Sequence, residues 1–201
     1  IKRYIKKNSL QGGKTMARGR QSTKIKVITG RDRDLIKQLS KTGLCNSRQA
    51  KDYCGVSNDR LNKLEKSGYI KTSNHIVRGE NNRIIQLDKA GKEYCRQEFG
   101  VTNLCVAQTN HLEHDIKLTE VYYKLDKEIQ ETWRHERELI LDYYEKFPEK
   151  EKTLETCIDA TIEINGEIIA IESVGHSYSG EIIEIKQEIA ISLGCARMEC
   201  I

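Results

Sequence analysis

The sequence predicts an α+β protein in two halves. One is basic, rich in short helices and closed by a two-stranded ribbon; the other is acidic, an α/β unit built around one β-hairpin. Three observations predict this. Residues 1–110 carry 24 Lys/Arg against 9 Asp/Glu, a balance of +15, and residues 111–201 carry 10 against 21, a balance of −11. Asn165-Gly166 stands between two apolar runs; a type I′ turn needs positive φ at both central residues, so Asn-Gly is a strong hairpin signal. Short apolar periods with helical spacing, punctuated by Gly, fill residues 31–100.

Composition sets the outer bounds. With 201 residues, 37% hydrophobic and 32% charged, the chain can build one sizeable core or two small ones. No apolar run approaches ~18 residues and no signal-peptide core is visible, so we expect a cytoplasmic protein with no membrane partner. The 7 cysteines form no CxxC pair, which excludes familiar zinc spacings, and their odd number argues against a disulfide framework. Reduced thiols filling the core are expected. The basic half points to a polyanion partner.

Residues 1–30 read as a basic arm. Within it, Gln11-Gly12-Gly13-Lys14 ahead of Met16 back-translates to a stretch containing AAGGAGG, a bacterial ribosome-binding sequence. We therefore expect Met16 to be the start and residues 1–15 to be read-through of an untranslated leader. The chain stops at Ile201 without a cap or tail, and a C-terminally truncated fragment is expected.

Residues 31–100 have the order of a winged helix-turn-helix. Leu35, Ile36 and Leu39 share one helical face; Asn46-Ser47 can cap a second helix running to Tyr53; Gly55-Val56-Ser57 fits the turn. Ser57 or Asn58 can cap a third helix, with Leu61, Leu64 and Tyr69 inward and Arg60 and Lys63 outward. Tyr69–Lys71 and Arg83–Leu87 are the expected ribbon strands, with His75 to Asn82 as a tip carrying Arg78, and Asp88 opens a closing helix. Such domains place the third helix in the major groove and the wing against the backbone of double-stranded DNA. The candidate DNA contacts are Arg48, Lys51, Ser57, Asn58, Arg60, Lys63, Arg78 and Arg83.

The second half, residues 108–201, carries the candidate chemistry. Thr109 to Glu113 offers a capping box before a helix reaching about Lys127. Trp133–Leu141 reads as a first strand, with a helix competing. If Asn165-Gly166 is the turn, Ile164 faces Glu167, Ile162 faces Ile169, Ala160 faces Ile171, and Asp159 faces Glu172. Opposed side chains lie ~5 Å apart at Cβ, where like charges destabilise a sheet. Two carboxylates so placed suit a cation between them, and oxygen ligands suit Mg²⁺ or Mn²⁺. A helix follows from Gly180 or Glu181 to about Leu193.

Helix, three strands, helix is the opening order of the PD-(D/E)XK nuclease-like core, which this half resembles. Ile158-Asp159 stands where that superfamily has Pro-Asp, and Ile169-Ala-Ile-Glu172 where it has an apolar strand ending in Glu. Val174 replaces the usual Lys, and Lys186 on the following helix can substitute for it. Glu136 or Glu138 could add a carboxylate. From Arg31 onward the chain is similar to the replication-relaxation proteins of Gram-positive plasmids and mobile elements. His111-Leu112, Trp133 to Leu139, Asp159-Ala160, Glu172, Gly175 and Lys186 carry that resemblance.

The resemblance implies a DNA-binding protein of a mobile element, acting in plasmid replication, relaxation or mobilisation, with metal-dependent cleavage or nicking as an expected activity. Asp159 and Glu172 would hold the cation, Lys186 would orient water or steady developing charge, and His111 would contact phosphate or support the site. His114, His135 and His176 receive no role, because none shows a metal-ligand spacing with a carboxylate. The alternative is a non-catalytic winged-helix regulator or replication initiator whose nuclease-like core has become an interaction domain. Val174 and the lack of later strands favour it; the paired acids with Lys186 favour the enzyme. A sheet edge left bare after Ile201 would be association-prone, so a homodimer is one expected assembly.

Overall fold

The computed structural model describes residues 23–107, 109–150, 154–175 and 178–201. The expected leader (residues 1–15), the arm up to residue 22, and His176 lie outside them.

Helix α1 (Gly30–Thr42) starts in a capping box: the Thr29 hydroxyl accepts from the Asp32 N–H, and the Asp32 carboxylate accepts from the Thr29 N–H. Its buried stripe includes Leu35, Ile36 and Leu39, as the spacing predicts. A two-residue strand β1 (Cys45–Asn46) leads into α2 (Ser47–Cys54), capped by Asn46, and Ser57 caps α3 (Asn58–Lys66). Leu61 and Leu64 of α3 are fully buried.

The ribbon is longer than expected. Strands β2 (Ile70–Val77) and β3 (Glu80–Leu87) pair from Ile70 with Leu87 out to Val77 with Glu80. His75 to Asn82 is therefore not a loop. The turn is only Arg78-Gly79, both at positive φ, 51° and 78°. Strand β1 adds to β3, and α4 (Lys89–Phe99) closes the half over Leu35, Ile36, Leu39, Leu64 and Ile85.

Arg60 does not point out to solvent. Its Nε and Nη2 bind both oxygens of Asp32 at 2.9 and 2.5 Å, and Nη2 also reaches the Val27 carbonyl at 2.7 Å. The Asp32 side chain is 0% exposed. Burial alone would raise its pKa, but Arg60 and the two Thr29 donors outweigh that and hold the carboxyl below its ordinary value. Its contribution to stability is thus present above the unfolded carboxyl pKa and is lost as pH falls through the lower folded value. Asp32→Ala, which strands Arg60 and removes the cap, is expected to destabilise the chain by about 3–5 kcal/mol. Urea melts at pH 7 check the loss, and the gap between parent and variant should narrow on acidification.

Residues 112–201 form a second layered unit. Helix α5 (Leu112–Lys124) starts later than the expected capping box: His111 takes the cap position without a side-chain hydrogen bond, after a 3₁₀ turn at Thr109–His111. A short helix α6 (Lys127–Thr132) then intervenes. The expected strand over Trp133–Leu141 is a correction: only Arg134–His135 (β4) is extended, and Glu136–Lys146 is helix α7. Glu138 accepts from the His135 N–H, and Leu139 and Tyr143 face the core one turn apart, a 3.6-residue period that outweighs local strand propensity.

Strands β5 (Ala160–Ile164) and β6 (Glu167–Glu172) form the expected hairpin in the expected register, Ala160 with Ile171 through Ile164 with Glu167. Asn165 and Gly166 hold the turn at φ 54° and 82°. Helix α8 (Gly180–Ser192) returns the chain so that β7 (Arg197–Cys200) lies parallel to β6, as a parallel neighbour requires a crossover. The sheet order is β4-β5-β6-β7. The architecture is α+β.

The two halves share a polar seam along α5. Thr119 donates to the Leu44 carbonyl at 2.8 Å, Tyr123 donates to Gln38 at 2.9 Å, and Gln49 donates to the Ile116 carbonyl at 3.0 Å. Tyr53 and Tyr123 stack at 4.5 Å. Gly43, at φ 79°, lets the connector come close: a Cβ there would lie 2.7 Å from the Ala107 nitrogen. This packing sets the end of α1 and residues 105–107 beside the amino-terminal turn of α5. Among the described residues no helix is long and apolar enough to cross a membrane.

Candidate metal and catalytic site

The hairpin register delivers Asp159 and Glu172 side by side. The Asp159 N–H donates to Glu172 Oε2 at 3.2 Å, and the Ser173 N–H donates to Asp159 Oδ2 at 2.7 Å. Glu172 is 0% exposed, so its ionised form needs partners. Lys186, on the inner face of α8, donates to Glu172 Oε1 at 2.6 Å and lies 4.0 Å from Asp159 Oδ1. Tyr178 donates to the same Glu172 oxygen at 2.9 Å.

Helix α5 supplies a residue that local spacing did not reveal. His114 Nε2 donates to Asp159 Oδ2 at 2.9 Å, and its Nδ1 donates to Asp115 Oδ1 at 3.0 Å. Ligand atoms of His114, Asp159 and Glu172 lie within 4.8 Å of one another. His111, expected at the site, is exposed at the start of α5 and lines the cleft outside this cluster. One helical turn decides between the two histidines.

Electrostatics follow from burial and partners. Burial would lower the His114 pKa, but the two carboxylates outweigh it and hold it up at about 10. Burial and the neighbouring Asp159 raise the Glu172 carboxyl to about 7, with Lys186 and Tyr178 acting in the other direction. Burial works against the Lys186 ammonium, yet Glu172 and Asp159 keep its pKa above the ordinary value. Glu136 hangs at the mouth; desolvation in the cleft and Asp159 raise its carboxyl. Its N–H donates to the Asp159 carbonyl at 2.9 Å, which ties the start of α7 to the hairpin. Glu138 is set apart as the partner of the His135 N–H.

The cluster opens into a cleft of about 520 Å³, lined from both halves by Lys41, His111, His114, Glu136, Arg137 and Lys186, among others. Lys41 comes from α1 and donates to the Trp133 carbonyl at 2.9 Å.

The candidate DNA contacts divide. Arg60 and Arg83 are committed within the fold, Arg60 to Asp32 and Arg83 to Glu65 at 3.0 Å. Ser57 spends its hydroxyl on the α3 cap, and Arg78 reaches Glu113 on α5. Arg48 pairs loosely with Asp52 at 3.6 Å. Asn58 is exposed at the start of α3, and Lys51 and Lys63 make no ion pair among the described residues.

No family model, no curated protein and no solved structure matches the chain.

Proposed function

We propose that the chain is a metal-dependent phosphodiesterase acting on DNA, with a winged-helix half that holds duplex and a PD-(D/E)XK-like half that cleaves, in keeping with the replication-relaxation resemblance. One observation carries this reading. Ligand atoms of His114, Asp159 and Glu172 converge within 4.8 Å, and His114, Asp159 and the buried Lys186 line a cleft with Glu172 directly behind them.

The donor set fits a divalent cation: two carboxylates and an imidazole, with Asp115 behind His114 to orient the ring. The nitrogen ligand moves the preference from Mg²⁺ toward Mn²⁺. A cation held there supplies Lewis-acid polarisation of the phosphoryl oxygens. To hold such a cation, His114 would have to give up its Nε2 proton, which now faces Asp159. Glu136, with its raised carboxyl, is placed to accept the proton of the attacking water. The water oxygen forms the new P–O bond, the bond to the sugar oxygen breaks, and that oxygen takes a proton from solvent. Lys186 steadies the charge that develops on the phosphoryl group. In the amino-terminal half, Lys51 and Lys63 on α2 and α3 are the cations best placed for the DNA backbone.

A second reading is favoured by one observation: both acids already accept hydrogen bonds from protein donors. Such a saturated cluster also suits a non-catalytic regulator or initiator whose second half serves interaction.

Calorimetric titration of Mn²⁺ into the chain separates the two. One site is expected in the parent, and His114→Ala is expected to weaken it at least ~10-fold. No heat of binding in the parent would sink the metal reading and leave the regulator.

A further inference from the structure

The acids at the floor are recessed. The Asp159 side chain is 8% exposed, Lys186 4% and Glu172 0%. A phosphate must enter the cleft to reach them. At about 520 Å³ the cleft falls in the ~300–1,000 Å³ range of small-ligand pockets. A pocket of that size takes a segment of one strand, whereas a duplex, two strands across, can only lie over its mouth.

The lining agrees with a strand. Arg137, in the first turn of α7, is exposed, lines the cleft and makes no ion pair among the described residues. His111 lines the same cleft. These groups suit phosphates flanking the one at the acids. A second hollow of about 730 Å³ adjoins the cleft, with Thr156 and Tyr178 lining both. The walls of that hollow include Tyr143, Leu154, Ile182 and Ile185. A guanidinium beside the backbone, here Arg137, next to aromatic and apolar faces for bases matches the way proteins hold unpaired strands.

We propose that the cleft and the hollow beyond it form one channel for an unpaired nucleic-acid strand, so that the substrate reaching Asp159 and Glu172 is single-stranded. This rests on the phosphodiesterase reading above. Arg137 meets the backbone before the acids, and Tyr178 carries a base after them. The amino-terminal half holds duplex, and the channel receives a strand frayed or displaced from it.

The only tryptophan, Trp133, is 2% exposed and lines the cleft, so its emission is read beside the anisotropy of a labelled strand. Titration of the full chain with an octathymidylate is expected to change Trp133 emission saturably, whereas a blunt duplex binds by anisotropy without that change. Arg137→Ala should weaken octathymidylate binding up to ~5-fold, as for an exposed charge contact. Tyr178→Ala should weaken it ~10-fold or more through lost stacking, while Tyr178→Phe, which keeps the ring, should not. Duplex affinity should be the same in all three. Octauridylate in a parallel arm tells RNA from DNA, and saturable binding of either supports the channel. Failure of both strands to bind, or equal effects of duplex and strand on Trp133, overturns it. Mn²⁺ calorimetry on the same samples keeps the readings apart. Mn²⁺ binding without strand binding removes the channel alone, and strand binding without Mn²⁺ binding removes the metal site alone.

Discussion

Asp159→Asn is expected to abolish Mn²⁺-dependent DNA cleavage, by ~10²–10³-fold or more, with duplex affinity unchanged. The amide keeps the size of the carboxyl, and its oxygen can still accept from the Ser173 N–H, which holds Asp159 Oδ2 at 2.7 Å. The hairpin therefore stays in register. What disappears is the negative charge opposite His114 and Lys186. The proposed duplex contacts, Lys51 and Lys63 on α2 and α3, lie outside the cleft lining, so the two readouts separate. Gel-based cleavage with Mn²⁺ beside anisotropy without it makes the comparison. Equal cleavage by parent and variant would remove Asp159 from the chemistry.

Lys186→Met is expected to cost about 3–5 kcal/mol of stability, because it leaves a buried carboxyl without its partner. The Glu172 side chain is 0% exposed and the Lys186 side chain 4%, so solvent screens little. The Glu172 carboxyl already stands at about 7 with Lys186 present; without the ammonium it rises further. The sign follows from that rise. A carboxyl whose folded pKa exceeds its unfolded value contributes stability below the unfolded value and loses it as pH climbs through the folded one. The deficit of Lys186→Met should therefore be larger at pH 8 than at pH 6. Replacing both members, as Lys186→Met with Glu172→Leu, should recover most of the loss. Urea melts of the four proteins form a double-mutant cycle, and additive losses would mean that the pair is not coupled.

Much of this site could be read before folding was considered. Asn165-Gly166 set the hairpin register by turn geometry alone, and register placed Asp159 beside Glu172. Lys186 was suggested by the family resemblance, and the face of α8 that carries it meets the sheet, so that it reaches Glu172 at 2.6 Å. His114 could not. It meets Asp159 across 45 residues of sequence, and no local spacing rule spans a contact made by packing one element against another. The stretch after Trp133 misled for a related reason: apolar runs of that length serve strand or helix equally, and the His135–Glu138 cap decided for helix.

Arg60 and Arg83 teach the same lesson about charge. Their positions on α3 and β3 follow from periodicity, but what they bind depends on Asp32 and Glu65 arriving from other elements. Strand β7 was not anticipated either. Arg197–Cys200 has a weak strand pattern of its own, and it pairs because α8 returns the chain beside β6.

The charge division, the Asn46 and Ser57 caps, the hairpin and the acid pair were legible in the residues alone, because each is fixed within a few residues or across one tight turn. Packing of distant elements settles which histidine faces Asp159, which arginines remain available to a ligand, and that α1 and α7 wall one cleft. Those outcomes depend on how α5 seats between the two halves through Thr119, Tyr123 and Gln49, and such packing is a property of surfaces brought together rather than of neighbours along the chain.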